Sequence, residues 1–265
     1  MSEHDQRVQR RNDDSPAITA LPVRICNIQG ETGDWNLETH GFAVDSPESH
    51  LRDWRDDDEL KEKYFPQVTE LLKRKTGAKY VFQYEWHVRR RTLEEALKLD
   101  STGAVDIDGP VRRVHIDEAP ASALREYQYY VKPDEPGNEH LKGRPFGIYN
   151  TWKPLQTVRK DPLCLCDVRS IEDEDLEITG VFVLNVGEIQ NISLKPPAPG
   201  RQHDFVYVRE QRPDQALVFR IFDSRIDTAE SKKRSHGVAH TSFVDPGTEK
   251  QAPRQSVEVR SFCIF

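Results

Sequence analysis

The sequence is short of cysteine, of excess positive charge and of long apolar runs, and each shortage excludes a class of protein. Four cysteines in 265 residues are too few and too scattered for a disulfide framework. Cys164 and Cys166 are expected to be small buried residues, because no second cysteine pair could complete a zinc site with them. No apolar stretch approaches the roughly 20 residues that a membrane-spanning helix needs. The 45 acidic residues outnumber the 38 basic ones, which argues against a nucleic-acid-binding protein.

Several functional motifs are also missing. The sequence contains no Gly-rich phosphate loop and no nucleophile elbow. Residues 1–12 are charged and include no apolar segment, which predicts that there is no signal peptide. The four Trp, eight Tyr and eleven Phe, in contrast, argue against a disordered chain. We therefore expect a soluble, cytoplasmic enzyme or binding protein without a nucleic-acid or membrane partner, and of open oligomeric state.

The order of apolar and polar segments predicts a single domain behind a short tail. Residues 1–20 are mostly polar and are expected to be a mobile tail. Residues 21–110 are expected to form an N-terminal annex with helices over 51–76, and residues 111–265 a mainly β core with one helix near 122–130. The predicted strands cover 21–28, 79–88, 111–116, 146–152, 163–168, 180–186, 205–209, 216–222 and 257–265. Such a series of strands, separated by Pro, Gly and Asp clusters, is typical of a β-sandwich or barrel.

A metal-binding pattern is present at the end of one predicted strand, in His115-Ile116-Asp117. Side chains two residues apart on a strand point to the same face, so the imidazole and the carboxylate can reach one ion. Two imidazoles and one carboxylate are the ligands of non-haem Fe(II) oxygenases. His240, in a strand-like segment, is the preferred second imidazole, and His236 is the alternative. A strand-end histidine beside a turn aspartate, with no ligand at all, is the other interpretation.

A second pattern opens the last predicted strand, where Arg254 and Ser256 share one face. A guanidinium and a hydroxyl together can bind a carboxylate. Beside an iron site, the pair indicates a dicarboxylate cosubstrate, with 2-oxoglutarate as the leading candidate. Arg260, further along the strand, is the competing anchor, and an ion pair of Arg254 with a surface carboxylate is the alternative without a ligand.

Taken in order along the chain, these motifs resemble the fungal hydroxylase/desaturase AsaB family, which includes gibberellin desaturase-like and CmcJ-like proteins. The resemblance covers roughly residues 80–265 and is specific when the motifs are taken jointly. The segments that carry it are His115-Ile116-Asp117, Gly143-Arg144, Tyr149-Asn150-Thr151-Trp152-Lys153-Pro154-Leu155, and residues 161–170, 203–208, 222–224, 240–243 and 253–260.

The resemblance implies a mostly β (α+β) protein with a double-stranded β-helix core, of the jelly-roll or cupin-like kind. It further implies an enzyme that uses Fe(II), 2-oxoglutarate and O₂ to oxidise a small secondary metabolite, while 2-oxoglutarate is decarboxylated to succinate. The residues at the family's metal positions are His115, Asp117 and His240, and those at its cosubstrate positions are Arg254 and Ser256. Asn150 is a further candidate for cofactor binding, with a structural role as the equal alternative for it and for Trp152.

The sequence departs from the family at two positions, and two other functions are also compatible with it. Lys153 stands where the family commonly has arginine, and Asp204-Phe205 lies in a stretch that is more aromatic in the family. If either position contacts a ligand, the substrate or its anchoring differs from that of typical relatives. The alternative functions are a non-catalytic β-barrel protein that binds a small molecule or acts as a scaffold, and a cupin-like metal enzyme that uses O₂ without 2-oxoglutarate. The sequence leaves open whether the oxidation is a hydroxylation, a desaturation, a cyclisation or an epoxidation.

Overall fold

The computed structural model describes residues 23–30, 35–45, 56–96, 109–183, 187–226 and 237–265. The predicted tail and His236 lie outside these residues. The described part is mostly β, with two sheets and few helices, as the sequence predicts. None of its helices combines the length and the apolar character that crossing a membrane requires.

The strands form one seven-stranded and one five-stranded sheet. In chain order the elements are β1 (Ile25–Asn27), β2 (Phe42–Asp45), α1 (Asp57–Glu59), a π-helical turn (Leu60–Tyr64), α2 (Phe65–Thr76), β3 (Tyr80–Arg89), α3 (Leu93–Ala96), β4 (His115–Ile116), α4 (Pro120–Tyr130), β5 (Phe146–Pro154), β6 (Leu163–Cys166), β7 (Leu176–Val183), β8 (Gly187–Leu194), β9 (Phe205–Tyr207), β10 (Ala216–Asp223), β11 (His240–Ser242) and β12 (Ser256–Ile264); short 3₁₀ turns cover Glu139–Leu141, Val168–Ser170 and Asp173–Asp175. The larger sheet has the order β1-β9-β6-β11-β4-β8-β7 and the smaller one β2-β10-β5-β12-β3.

Two strand predictions need correction. The strand predicted over 111–116 is reduced to β4, because residues ahead of it join the sheet only locally, as where the Val111 carbonyl accepts the Ser242 N–H at 2.8 Å. Of the strand predicted over 180–186, residues 180–183 belong to the longer strand β7, which pairs with β8 in antiparallel register, and residues 184–186 lie outside the described residues. The sequence pattern missed β8 because polar Gln190 and Asn191 interrupt its apolar alternation.

Helix α2 covers the outer face of the smaller sheet. Pro66 lies in its first turn, where a missing N–H costs nothing, and Gly77 ends it in a left-handed conformation with φ of 73°. Val68, Leu71 and Leu72 are buried on one side of the helix. They pack against the outward-facing residues of β5, β10 and β12 in one apolar cluster. Burial of each such side chain contributes about 1.5–3 kcal/mol to stability.

The inner face of the smaller sheet packs against the larger sheet, since a single apolar cluster contains residues of both. Along β12 the side chains alternate as the sequence predicts: Val257 and Val259 belong to the outer cluster and Phe262 to the inner one. Ser256 and Arg260 therefore share the inner face with Phe262. The strands of the predicted N-terminal annex extend both sheets, because β1 pairs with β9, β2 with β10 and β3 with β12.

Candidate metal and cosubstrate site

Three residues at the inner face of the larger sheet come together as the sequence predicts: His115, Asp117 and His240. One donor atom from each lies within 4.8 Å of the other two. The two histidines are directly paired across the antiparallel strands β4 and β11, and Asp117 follows β4. The Oδ1 atom of Asp117 is 3.2 Å from Nε2 of His115 and 3.6 Å from Nε2 of His240.

The other nitrogen of each ring is held by the backbone. Nδ1 of His115 donates to the Arg113 carbonyl at 2.8 Å, and Nδ1 of His240 donates to the Val238 carbonyl at 3.1 Å. A carbonyl oxygen can only accept, so each Nδ1 carries a proton, and Nε2 is the ring nitrogen left to bind a metal ion in the neutral form. Imidazoles that bind metal ions are generally oriented by such a second hydrogen bond.

The chain immediately before β11 is fixed against two neighbouring strands. Val238 donates its N–H to the Arg220 carbonyl at 2.8 Å, and the Ala239 carbonyl accepts the Cys166 N–H at 2.8 Å. A Cβ at Gly237 would collide with the Ile221 carbonyl, so only glycine allows this close approach to β10. Backbone contacts with β10 and β6 therefore fix the segment that leads into His240.

The electrostatics favour the protonation states that a divalent metal needs. Burial alone would raise the pKa of Asp117, but the positive charge of Arg260 is the largest of the opposing effects that hold that pKa well below its ordinary value. Burial lowers the pKa of His240. An ionised carboxylate and neutral imidazoles are the forms that bind metal ions.

Arg260, the competing anchor, is enclosed by carboxylates. It contacts Asp117 Oδ2 at 3.2 Å, Glu85 Oε2 at 2.6 Å and Glu118 Oε1 at 3.4 Å. Burial would lower its pKa, but these neighbours raise it well above the ordinary arginine value. Because its charge is already matched, Arg260 is poorly suited to bind the carboxylate of a cosubstrate.

Arg254 has a different environment. It is 6% exposed, its Nη1 donates to the Asp161 carbonyl at 2.9 Å, and its guanidinium lies 5.4 Å from the centre of the Trp152 ring. Within the described ranges no carboxylate lies close enough to form an ion pair with it. Burial, with a further contribution from the positive charge of Arg89, lowers its pKa to about 9, so it is still charged at neutral pH.

Ser256, two residues further on, supplies the second half of the predicted pair. Its side chain is fully buried, and its Oγ has no hydrogen-bond partner in the part of the chain that the structure describes. A buried hydroxyl without a partner costs about 1–3 kcal/mol. A buried cation beside an unpaired hydroxyl fits a bound carboxylate, which would satisfy both groups.

Asp161 contacts the proposed cosubstrate anchor, and the sequence analysis does not single it out as a site residue. Its carbonyl holds Arg254, and its carboxylate pairs with Arg112. It is buried with φ of 53°, a left-handed conformation that a non-glycine residue rarely adopts. Strained backbone of this kind is found at functional sites when the surrounding structure enforces it. The sequence shows Asp161 within an Asp-Pro pair, but no sequence pattern reveals which side chains it contacts.

Asn150 lies between two carboxylates. Its Nδ2 donates to Asp117 Oδ2 at 3.1 Å and to Glu258 Oε1 at 2.7 Å, while its Oδ1 is buried and has no partner in the described chain. Both amide hydrogens are therefore used. The prediction that Asn150 binds the cosubstrate has no free donor to support it.

The positions that depart from the family lie away from the site. Lys153 belongs to the outer face of β5, and its Nζ donates to the Pro213 carbonyl. Phe205 packs in a cluster on the far side of the larger sheet, together with Cys164 and Cys166. These cysteines are buried free thiols, as predicted, and burial raises the pKa of each to about 12.

Comparison with known proteins gives consistent matches over nearly the whole chain. The family model described as oxidoreductase/YMDC permease-like domain matches residues 2–264. The chain is 34% identical over 232 residues to the alpha-ketoglutarate-dependent dioxygenase phiK of a fungal species (strain ATCC 74256), covering 88% of this chain and 80% of the relative. It is 32% identical over 255 residues to the hydroxylase/desaturase CTB9 of Cercospora beticola, covering 92% and 76%. A solved structure of the iron and alpha-ketoglutarate-dependent endoperoxidase NvfI superposes with a TM-score of 0.75 at 25% identity, covering 92% and 83%.

Proposed function

We propose that His115, Asp117 and His240 bind the iron of this chain, which belongs to the oxidoreductase/YMDC permease-like domain family and is an Fe(II)/2-oxoglutarate-dependent dioxygenase. The kinship with hydroxylase/desaturase proteins that the motifs indicate is confirmed. The observation that carries the iron assignment is the group of three donor atoms within 4.8 Å, two from imidazoles and one from the Asp117 carboxylate, whose pKa is held well below its ordinary value. Three protein ligands leave further coordination positions for reactants, as in other non-haem iron oxygenases.

Arg254 and Ser256 are proposed to bind the far carboxylate of 2-oxoglutarate. The guanidinium offers a two-pronged donor and Ser256 a third hydrogen bond, which matches the geometry of a carboxylate. Asp161 fixes one side of Arg254 through its carbonyl, and the Trp152 ring packs beside the guanidinium. Both contacts limit the side chain to a few orientations, so the anchor is formed before the cosubstrate binds.

When bound, iron, 2-oxoglutarate and O₂ supply the oxidation of a small secondary metabolite, with succinate and CO₂ as the other products. The residues of this chain orient the reactants for that chemistry and keep water away from them. Apolar side chains of the inner cluster, such as Phe219 at 4.9 Å from the His240 ring, line this region. A dry, pre-formed site is what the fold contributes.

The two sheets are proposed to form a double-stranded β-helix. The inner apolar cluster shared by both sheets and the likeness to an iron-dependent enzyme support this arrangement. Residues 21–265 are proposed to be one oxygenase domain, because strands from the N-terminal annex extend both sheets. A scaffold that had lost its metal would give no reason for a buried Arg254 that forms no ion pair within the described residues.

The iron assignment is tested by replacing each ligand with alanine and measuring iron retained after anaerobic reconstitution. Each of His115→Ala, Asp117→Ala and His240→Ala removes one of three protein ligands, so we expect at least a 10-fold loss of iron affinity. His203→Ala is the matched control, because His203 is a buried histidine that pairs with Asp175 at 3.1 Å and lies outside the triad. Full iron retention by His240→Ala, together with loss in His236→Ala, would transfer the ligand role to His236.

A further inference from the structure

The two oxygens of Asp117 have different surroundings. Oδ1 faces the Nε2 atoms of His115 and His240, at 3.2 and 3.6 Å. Oδ2 points the other way and contacts Nδ2 of Asn150 at 3.1 Å and Nη2 of Arg260 at 3.2 Å. One oxygen is thus directed to the proposed metal position, and the other is held by two donors of the smaller sheet.

These two donors are direct neighbours in the sheet. Asn150 on β5 and Arg260 on β12 are paired residues in the antiparallel register of the two strands, and both point to the inner face. A slip of one residue in either strand would turn its donor to the opposite face. Asn150 and Arg260, which we call the Asp117 clamp, are therefore fixed by the central strands of the sheet rather than by a loop.

Each member of the clamp is itself held by a carboxylate. Arg260 pairs with Glu85 of β3. Arg260 lies opposite Glu85 but the next residue, Ser261, lies opposite Gln83, so β3 contains one extra residue at this point. Such a bulge re-aims side chains at functional sites. Asn150 donates to Glu258 as well as to Asp117, and Glu258 contacts Arg89 at 3.5 Å.

We propose that Asn150 and Arg260 are positioning residues that keep Asp117 a one-oxygen ligand of the metal. This inference rests on the proposed function. With Oδ2 occupied by two hydrogen bonds, only Oδ1 can bind the ion, and the coordination position that a second oxygen would take stays available to reactants. The clamp also explains why Asn150 has no donor left for the cosubstrate and why Arg260 is fully surrounded by carboxylates.

The test measures binding of Co(II) to the metal-free protein by titration calorimetry and by visible absorption. Asn150→Leu removes the amide donor at similar volume, and Arg260→Lys keeps the charge that matches Glu85 but loses the fork. We expect each to raise the Kd for Co(II) by about 10-fold and to change the Co(II) absorption spectrum, because the released Oδ2 can then bind the ion. The spectrum reports coordination and would not respond to a general loss of stability.

Thr151→Val is the matched control. Thr151 is the next residue on β5, is fully buried, points to the outer face and has an Oγ without a partner in the described residues. It should keep the wild-type Kd and spectrum. The proposal is overturned if Asn150→Leu and Arg260→Lys both keep the wild-type Kd and spectrum, or if Thr151→Val weakens Co(II) binding as much as they do. Should Asn150→Leu not fold, Arg260→Lys decides alone; a wild type that binds no Co(II) would instead refute the iron assignment.

Discussion

Arg254 lies just before β12 and Arg260 lies within it, and the two arginines have opposite environments. Carboxylates beside Arg260 raise its pKa, whereas Arg254 forms no ion pair with a carboxylate of the described residues and burial lowers its pKa to about 9. A buried cation without a counterion is costly unless an anion binds to it. This difference supports the proposal that Arg254 binds a ligand carboxylate and that Arg260 has a structural role.

Replacing Arg254 by alanine should weaken the binding of 2-oxoglutarate much more than the binding of the metal. Truncating one partner of a buried, charged hydrogen-bonded pair costs about 2–5 kcal/mol, so we expect a rise of at least 30-fold in the 2-oxoglutarate concentration needed for half-saturation. The Kd for the metal should change by only a few-fold. Titration of the iron-loaded protein with 2-oxoglutarate under anaerobic conditions measures the first quantity.

Two buried serines of β12 provide the control for this experiment. Both Ser256 and Ser261 are fully buried, and neither hydroxyl has a partner among the residues described. They point to opposite faces, because Ser261 lies an odd number of residues from Ser256. Ser256→Ala should weaken the binding of 2-oxoglutarate by about 3- to 10-fold, and Ser261→Ala should leave this affinity unchanged. Equal effects of the two variants would remove Ser256 from the site.

At the scale of elements, helix α4 and strand β3 meet over a buried acidic group. Tyr84 lies in the irregular part of β3, stacks on Phe262 of β12 at 4.3 Å and donates its hydroxyl to Glu126 of α4 at 3.0 Å. Burial raises the pKa of Glu126 to about 7; the positive charge of Arg260 opposes this rise, and the negative charge of Glu85 adds to it. The contact between these elements is therefore sensitive to pH.

Glu126→Gln should stabilise the protein at pH 8 and leave it nearly unchanged at pH 4. The folded-state pKa is higher than the unfolded value, so the folded state binds the proton more tightly and stability is lost as pH rises from about 4.5 to 7. Glutamine avoids that loss and still accepts the Tyr84 hydroxyl. Urea unfolding of the metal-free protein should show a gain of about 3 kcal/mol at pH 8.

The control for this measurement is Glu94→Gln, which removes the same charge from an exposed position on α3. It should change the free energy of unfolding by less than about 0.5 kcal/mol at either pH. A Glu126→Gln variant with the wild-type pH dependence would contradict the account of how α4 packs on β3.

For the molecule as a whole, the sequence predicts what depends on strand period and residue type. Two-residue spacing brings His115 and Asp117 together, and alternation along β12 separates its two faces correctly, whereas the pairing of Arg254 with Ser256 stays a prediction. Contacts that depend on irregular backbone were not predictable. The extra residue in β3 that brings Glu85 to Arg260 and the left-handed Asp161 have no signature in a single sequence, because tertiary packing imposes both.

The central claim is that this fold holds one iron and consumes 2-oxoglutarate, and succinate formation tests it most directly. Protein loaded anaerobically with Fe(II) and 2-oxoglutarate is exposed to O₂, and succinate is measured in the wild type, in Asp117→Ala and after chelation of the metal. We expect the iron-loaded wild type to form succinate, slowly without a substrate and faster with a suitable small metabolite. We expect no succinate in the two controls. Iron-loaded wild type that forms no succinate, or Asp117→Ala that forms as much, would contradict it.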